Sequence, residues 1–206
     1  MRIITISREF GSGGRELGKR LADILGYNYY DREIITEIAE RQGLDEGYVE
    51  RALENHAWQT IPLTYRQSFY PATQYRYGQT QIISEQRKVI EAIAKQGENF
   101  VIIGRNADVL LKDYNPFNIF VCADMQAKIC RCIERASAEE KLTERQIAHK
   151  IRQIEKNRSR TREMISGEHW RDCGTYHLTV NTTDWSIKDL APAVADFANR
   201  WFEKTK

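Results

Sequence analysis

Apolar positions along the chain keep two rhythms, short β-branched runs and longer stretches with a helical repeat, and the two alternate. The first run, Ile3-Ile4-Thr5-Ile6, ends at the glycine cluster Gly11-Ser12-Gly13-Gly14, after which Leu17, Leu21, Ile24 and Leu25 recur at helical spacing. Gly26 is placed to stop that helix. Tyr27-Asn28-Tyr29-Tyr30 reads as a short strand, and Asp31 as the N-cap of a helix carrying Ile34, Ile35, Ile38 and Ala39 as far as Gly43. Asp45 is a cap for a further helix with Val49 and Leu53. A helix over 79–96 puts Ile82, Val89, Ile90 and Ile93 on one face. The continuous apolar runs 99–104 and 117–122 have the length and composition of parallel strands buried on both faces. Met125, Ile129 and Ile133 mark the next helix, and residues 137–165 a long charged one with Thr143 as its N-cap. Residues 176–180 read as a last strand, and a closing helix turns Ile187, Leu190, Val194, Phe197 and Trp201 inward. The alternation predicts a doubly wound, three-layer α/β/α domain on a parallel five-stranded sheet.

One segment breaks the pattern. Residues 56–78 hold Trp58, Tyr65, Phe69, Tyr70, Tyr75 and Tyr77 with few charges, too aromatic for a disordered linker. The preferred reading is packing, as a subdomain core or as an interface that would build a homo-oligomer. An aromatic wall for a substrate base is the alternative.

Composition narrows the classes. With 206 residues, 41% apolar and 29% charged, the chain suits one domain with a full core. A formal charge of +2 gives no general reason to expect a nucleic acid polymer or an anionic membrane as partner. No apolar run is long enough to span a bilayer, and Met1-Arg2-Ile3 leads into a strand, so a cytoplasmic protein is expected. Cys122, Cys130, Cys132 and Cys173 lack paired Cys-x-x-Cys spacing and read as reduced thiols. A zinc site would need Cys130 and Cys132 together with distant histidines, and no metal site is assigned.

The candidate chemistry lies where strands end. A strand, glycine loop and helix N-terminus present backbone N–H groups and positive potential to a phosphate. The spacing approaches the P-loop G-x-x-x-x-G-K-[ST], with Arg8 at the first glycine, Gly13 at the second, Gly14 at the lysine and Arg15 at the hydroxyl. In open α/β sheets ligands bind beyond the carboxyl ends of the strands. That rule gathers Gly11, Ser12, Gly13, Gly14, Arg15 and Glu16 with Asp31, Arg32, Arg105 and Asp108 in one crevice. Arg32 and Arg105 are suited to clamping an oxyanion, and Asp108 to a sugar hydroxyl or base amino group. Arg158 and Arg162, one turn apart on the basic helix, would close over a triphosphate; the plainer reading of that helix is a solvated face laced with charge pairs around Glu155 and Lys156.

Together these segments resemble the cytidylate kinase-like family of P-loop nucleoside monophosphate kinases. The similar stretches are 11–22, Tyr30-Asp31-Arg32-Glu33-Ile34-Ile35, Ile103-Gly104-Arg105-Asn106-Ala107-Asp108, the arginine-rich helix from Glu155 to Arg162, and Asn181-Thr182-Thr183, in the family's order. The resemblance implies a CORE of about 1–30, 80–136 and 174–206, an NMP-binding insertion of about 31–79 and a LID of about 137–173. It implies ATP on the glycine loop with Mg2+ bound alongside the nucleotide, and a nucleoside monophosphate, CMP or dCMP first, against Asp31, Arg32, Arg105 and Asp108. Arg158 and Arg162 would be LID arginines across the transferring phosphate. The family keeps a loop lysine and a following hydroxyl; here those places hold Gly14 and Arg15, or Glu16 with one intervening residue. Loss of one such contact costs roughly 2.7–4 kcal/mol of transition-state stabilisation. Arg15 or Lys19 is expected to supply the cation, and a catalytically weak nucleotide-binding or sensing module is the alternative function.

Overall fold

The computed structural model describes residues 1–54, 79–136 and 142–205. Strands β1 (Ile3–Arg8), β2 (Asn28–Tyr30), β3 (Phe100–Ile103), β4 (Phe117–Cys122) and β5 (Leu178–Asn181) form a sheet of order β2-β3-β1-β4-β5, parallel throughout. The helices are α1 (Gly14–Leu25), α2 (Glu33–Gln42), α3 (Glu46–Glu54), α4 (Gln79–Lys95), α5 (Ala107–Leu110), α6 (Met125–Arg135), α7 (Glu144–Ser166) and α8 (Ile187–Lys204). The central strand is therefore the first, and its carboxyl end opens into the glycine loop. Among the described residues no helix is long and apolar enough to cross a membrane.

Side-chain alternation divides the core. Ile4 and Ile6 of β1, with Val101, Ile103, Ile119 and Val121, pack on α1 and α8. Ile3, Phe100 and Ile102 point to the other face, against Ile34, Ile35 and Ile38 of α2, Val49 of α3 and Ile82, Val89 and Ile90 of α4. This is the three-layer arrangement expected of strands apolar on both sides. Residues 31–54, assigned above to an insertion, contribute helices to that second layer. The aromatic residues of 56–78 lie outside the described residues.

Three local readings are corrected. Asp31 does not cap α2: the N-cap position is Arg32, with no side-chain cap, because the Asp31 carboxylate is taken by Arg15 (Nε–Oδ2 2.5 Å). The last strand runs two residues later at its start than the apolar pattern indicates. Tyr176 belongs instead to a packed corner, donating its hydroxyl to the Trp170 carbonyl at 2.8 Å and lying against Phe120. On α8, Phe197 is exposed, and on α1 so is Ile24. The expected Ile187 and Val194 do face inward, joined by Phe202 and by Ala191, Ala195 and Ala198, small residues that let α1 and α8 approach closely. The capping signals at Gly26, Gly43 and Thr143 hold, the last as a full capping box with Gln146.

Gly18 is where α1 lies flat on the sheet. A Cβ there would collide with Ile103 Cδ1 and stand 3.0 Å from Ile6 Cδ1. Helix propensity alone would make Gly18→Leu stabilising by roughly 0.5–1 kcal/mol. Overpacking of the β1/β3 contact is expected to reverse the sign and lower stability by about 1–3 kcal/mol, read from urea unfolding midpoints.

Candidate active site

The glycine loop is built by backbone strain, by a hydrogen bond within itself and by one from the end of another strand. Gly11 (φ 77°) and Gly13 (φ 81°) adopt the left-handed conformation, and a Cβ on Gly11 would lie 3.0 Å from the Lys128 carbonyl oxygen. Ser12 is buried and donates Oγ to the Glu9 carbonyl at 2.9 Å. Thr182, beyond β5, donates its hydroxyl to the Ser12 carbonyl at 2.7 Å, and Arg131 holds Thr182 in turn through its Oγ1 (3.0 Å) and carbonyl (2.5 Å). The Asn181-Thr182-Thr183 stretch thus buttresses the loop from beneath. Gly13 ends the loop as the N-cap of α1, directing the first N–H groups of that helix outward.

Cations crowd this end of the sheet. Arg8 closes β1, and its guanidinium passes so close to Gly104 that a Cβ there would coincide with Nη1. Gly104, Arg105 and Asn106 are three consecutive residues with positive φ (64°, 58° and 52°), a strained turn that brings Arg105 to the crevice. Gln86 of α4 pins it by donating Nε2 to the Arg105 carbonyl at 2.8 Å. Arg158 of α7 donates Nη1 to the Arg8 carbonyl at 2.9 Å and stands over the Phe10 ring at 5.8 Å. Burial, and then the charges of Arg158 and Arg105, push the Arg8 guanidinium well below its ordinary pKa, with Asp31 opposing. Like charges pressed together in this way fit an anionic ligand.

Two cavities meet at these arginines. A cleft of about 610 Å³ is lined by the loop, Arg15, Arg131, Arg135 and Lys150, with Phe10, Ile133, Leu142 and Ile147 as its apolar wall. A volume of this size suits a nucleotide. A second cavity of about 60 Å³ lies beyond, lined by Ser7, Gln86, Gly104, Arg105, Thr161 and Trp170 among others. Arg8 and Arg158 line both.

Not every predicted residue joins them. Arg15 lines the larger cleft while paired to buried Asp31. Lys19 does not reach the loop: it pairs with Asp23 at 2.9 Å and covers the Tyr29 ring. The helical turn from 14 to 19 carries it to the flank of α1, which corrects its assignment as a replacement cation. Glu16 turns its carboxylate to Arg20 (3.0 Å) and Arg135 (2.5 Å). Arg32 is exposed and pairs with Glu50 at 3.4 Å. Arg162 and Asp108 pair with each other, at side-chain exposures of 3% and 2%, so Arg162 is not poised over the loop beside Arg158 in this structure. Burial raises the Asp108 carboxyl pKa against the pull of Arg162.

An ion network with a buried centre has no counterpart in the sequence reading. Lys128 Nζ reaches Glu9 Oε2 at 2.9 Å and Glu155 Oε1 at 2.8 Å, and Arg171 bridges the other oxygens of both acids at 2.7 and 2.8 Å. Glu155 is therefore not part of a solvated face. The four residues are far apart in sequence, and nothing local distinguishes them from surface charges. Among the described residues no three His, Cys, Asp or Glu side chains converge as metal ligands.

The family model described as cytidylate kinase-like matches residues 3–184. No curated protein sequence matches the chain. Among solved structures, an uncharacterized protein from Eubacterium ventriosum aligns at 23% identity and a TM-score of 0.70, over 97% of this chain and 99% of that one. Shikimate kinase from Bacteroides thetaiotaomicron aligns at 15% identity and 0.58, over 96% and 98%. Shikimate kinase from Acinetobacter baumannii in complex with shikimate aligns at 13% and 0.55, over 96% and 92%. These likenesses show the three-layer fold, one that the shikimate kinases share.

The ion network couples the loop to α7, and its removal is testable. Lys128→Met would leave the Glu9 and Glu155 carboxylates buried with only Arg171 between them. A stability loss of about 3–5 kcal/mol is expected by urea unfolding, and Lys128→Met/Glu155→Gln should recover part of it.

Proposed function

The chain belongs to the cytidylate kinase-like family, and on that premise we propose that it transfers the terminal phosphoryl group of ATP to a nucleoside monophosphate, CMP or dCMP being the first candidates. The observation that carries the reading is the pair of cavities sharing Arg8 and Arg158. A nucleoside triphosphate in the larger cleft, its phosphates on the Gly11–Gly14 loop, would direct its terminal phosphorus toward the smaller cavity. The acceptor's phosphate would enter that cavity against Arg105. Phosphoryl transfer asks for little beyond alignment and positive charge over the transferring group.

The lining of the smaller cavity favours a phosphate acceptor over an alcohol. An alcohol must lose a proton, which calls for a base within hydrogen-bonding reach. Among the described residues no carboxylate lines this cavity, whereas three arginines do. A phosphate dianion needs no base. One of its oxygens forms the new bond to the terminal phosphorus as the bond from that phosphorus to the bridging oxygen breaks. The electron pair stays on ADP, and no proton need move. Arg105 holds and orients the attacking phosphate, and Arg158 bears on the charge in flight.

Magnesium fits as an ion that arrives with the triphosphate. The usual hydroxyl place of the loop holds Arg15, the nearby Ser12 hydroxyl is spent on the Glu9 carbonyl, and no protein cage converges among the described residues. The nucleotide phosphates and water would hold it, and it would offset phosphate charge there. The proposed compartment is the cytoplasm, and the proposed partners are small nucleotides, with homo-oligomerisation through 56–78 retained as part of the proposal.

Glycine at the lysine position favours a second reading, a module that binds nucleotide and signals its presence. A coupled ADP-release assay across ribo- and deoxyribonucleoside monophosphates separates the two. Acceptor-stimulated release is expected, strongest with a cytidine nucleotide; nucleotide binding without such release supports the module. Arg105→Ala is expected to raise the acceptor KM about 10- to 150-fold, the loss of one charged hydrogen-bonding partner, while sparing ATP affinity. Equal loss of both would contradict this division of the crevice.

A further inference from the structure

The loop is short of a cation at Gly14, yet the stem of a cationic side chain, Arg8, sits directly against that position. A Cβ built on Gly14 would stand 2.6 Å from Arg8 Cβ and 3.1 Å from Arg8 Cγ. A side chain at 14 and the Arg8 side chain cannot both be accommodated as they stand. In the P-loop pattern position 8 holds a glycine and position 14 a lysine; here the large cation is at 8 and the glycine at 14. The two residues have changed places across a single van der Waals contact.

We propose that Arg8 replaces the loop lysine: with its stem packed on Gly14 and its guanidinium against Gly104, where the two cavities meet, it binds the phosphoryl group in transit. The proposal rests on the kinase reading above and names the residue that makes the altered loop competent.

Three features support it. Arg8 lines both cavities, as a group must that contacts donor and acceptor phosphates at once. Gly104 lets the guanidinium lie against the β3–α5 turn, and a Cβ there would occupy its place. Among the described residues the guanidinium forms no ion pair or hydrogen bond of its own; only the Arg8 carbonyl is engaged, by Arg158. Its donors are therefore available to a ligand, and a planar fork matches two oxygens of one phosphoryl group. The neighbouring Arg158 and Arg105 charges make its position unfavourable until an anion arrives. During transfer one P–O bond forms as the other breaks. Arg8 donates hydrogen bonds to the passing oxygens and exchanges no proton.

The test combines charge removal with reversal of the exchange. Arg8→Met keeps the bulk without the charge. It should lower kcat by about 10²–10³, change the acceptor KM little, and leave the melting temperature unchanged or raised, since it relieves repulsion. Arg8→Lys should retain more activity than Arg8→Met. Gly14→Lys alone should damage the protein through its collision with Arg8, whereas Arg8→Gly/Gly14→Lys should run faster than Arg8→Gly. Acceptor-stimulated ADP release by the unsubstituted protein, together with an undiminished kcat in Arg8→Met, would overturn the role of Arg8 and leave the kinase reading standing. A fall in kcat matched by a fall in melting temperature, with Arg8→Lys no better, would overturn it too. So would a double variant no faster than Arg8→Gly. No acceptor-stimulated release by the unsubstituted protein would overturn the kinase reading and this assignment with it.

Discussion

The crevice depends on how closely one side chain approaches two backbones. Arg8 leaves the central strand and passes between Gly14, at the head of α1, and Gly104, at the end of β3. Both neighbours must lack a Cβ, and Gly104 also needs its positive φ to begin the turn that delivers Arg105. A larger residue at either position would displace the guanidinium or open the joint between loop and sheet. The same constraint fixes the edge of the anion cradle and the charge beside it. Only glycine satisfies both requirements, so the lost lysine and the second glycine are consequences of one packing problem.

Around that joint the molecule spends stability on charge. Arg8, Arg105 and Arg158 repel one another, and each of Gly104, Arg105 and Asn106 sits in a conformation that costs about 1 kcal/mol or more for residues with a side chain. The offsetting interactions lie one layer below. Thr182 ties the loop to the end of β5, and the buried Glu9, Lys128 and Glu155 close a circuit beneath it through the exposed Arg171. Such a circuit contributes little net stability over an apolar core, but its geometry is strict. It serves the site by holding Glu9, the residue next to Arg8, against α6 and α7.

The sheet and its helices were legible because their signals are local. Strands buried on both faces read as continuous apolar runs at 100–103 and 117–122, and Gly26, Gly43 and Thr143 mark helix ends by conformational need. Asp31 shows where this stops. As a residue before a helix it reads as an N-cap, but a partner sixteen residues back, Arg15, claims its carboxylate. Ile187 and Val194 of α8 were legible as inward residues, but Ala191, Ala195 and Ala198 complete the inner stripe, and a search for large apolar residues passes over them in favour of exposed Phe197. In the crevice the loop glycines and Arg105 were found from their places after strands. Arg8 was seen only as a departure from a glycine pattern, since its importance comes from what crosses the sheet to meet it. Lys128 and Glu155 carry no sequence signal, because a buried pair spelled on two charged helices looks like any solvated one.

The long basic helix α7 is where the structure most changes the sequence-based picture. A cationic segment beside a phosphate site invites the image of a lid that swings an arginine into place. Yet Glu155, Arg158 and Arg162 follow one another at helical spacing along one side, and the outer two are anchored in buried pairs, with Lys128 and Asp108. Breaking either pair would cost several kcal/mol, since a charge would be left without its partner. Arg158 lies between these anchors and already meets the Arg8 carbonyl. The stretch 155–162 is thus fastened at both ends, to α6 through Lys128 and to α5 through Asp108, with its arginine set in advance. Electrostatic stabilisation is most effective when the charge needs no reorganisation at the moment of reaction. A helix pinned on both sides of Arg158 meets that condition for the proposed transfer, so any closure over a nucleotide would have to come from elements other than this part of α7.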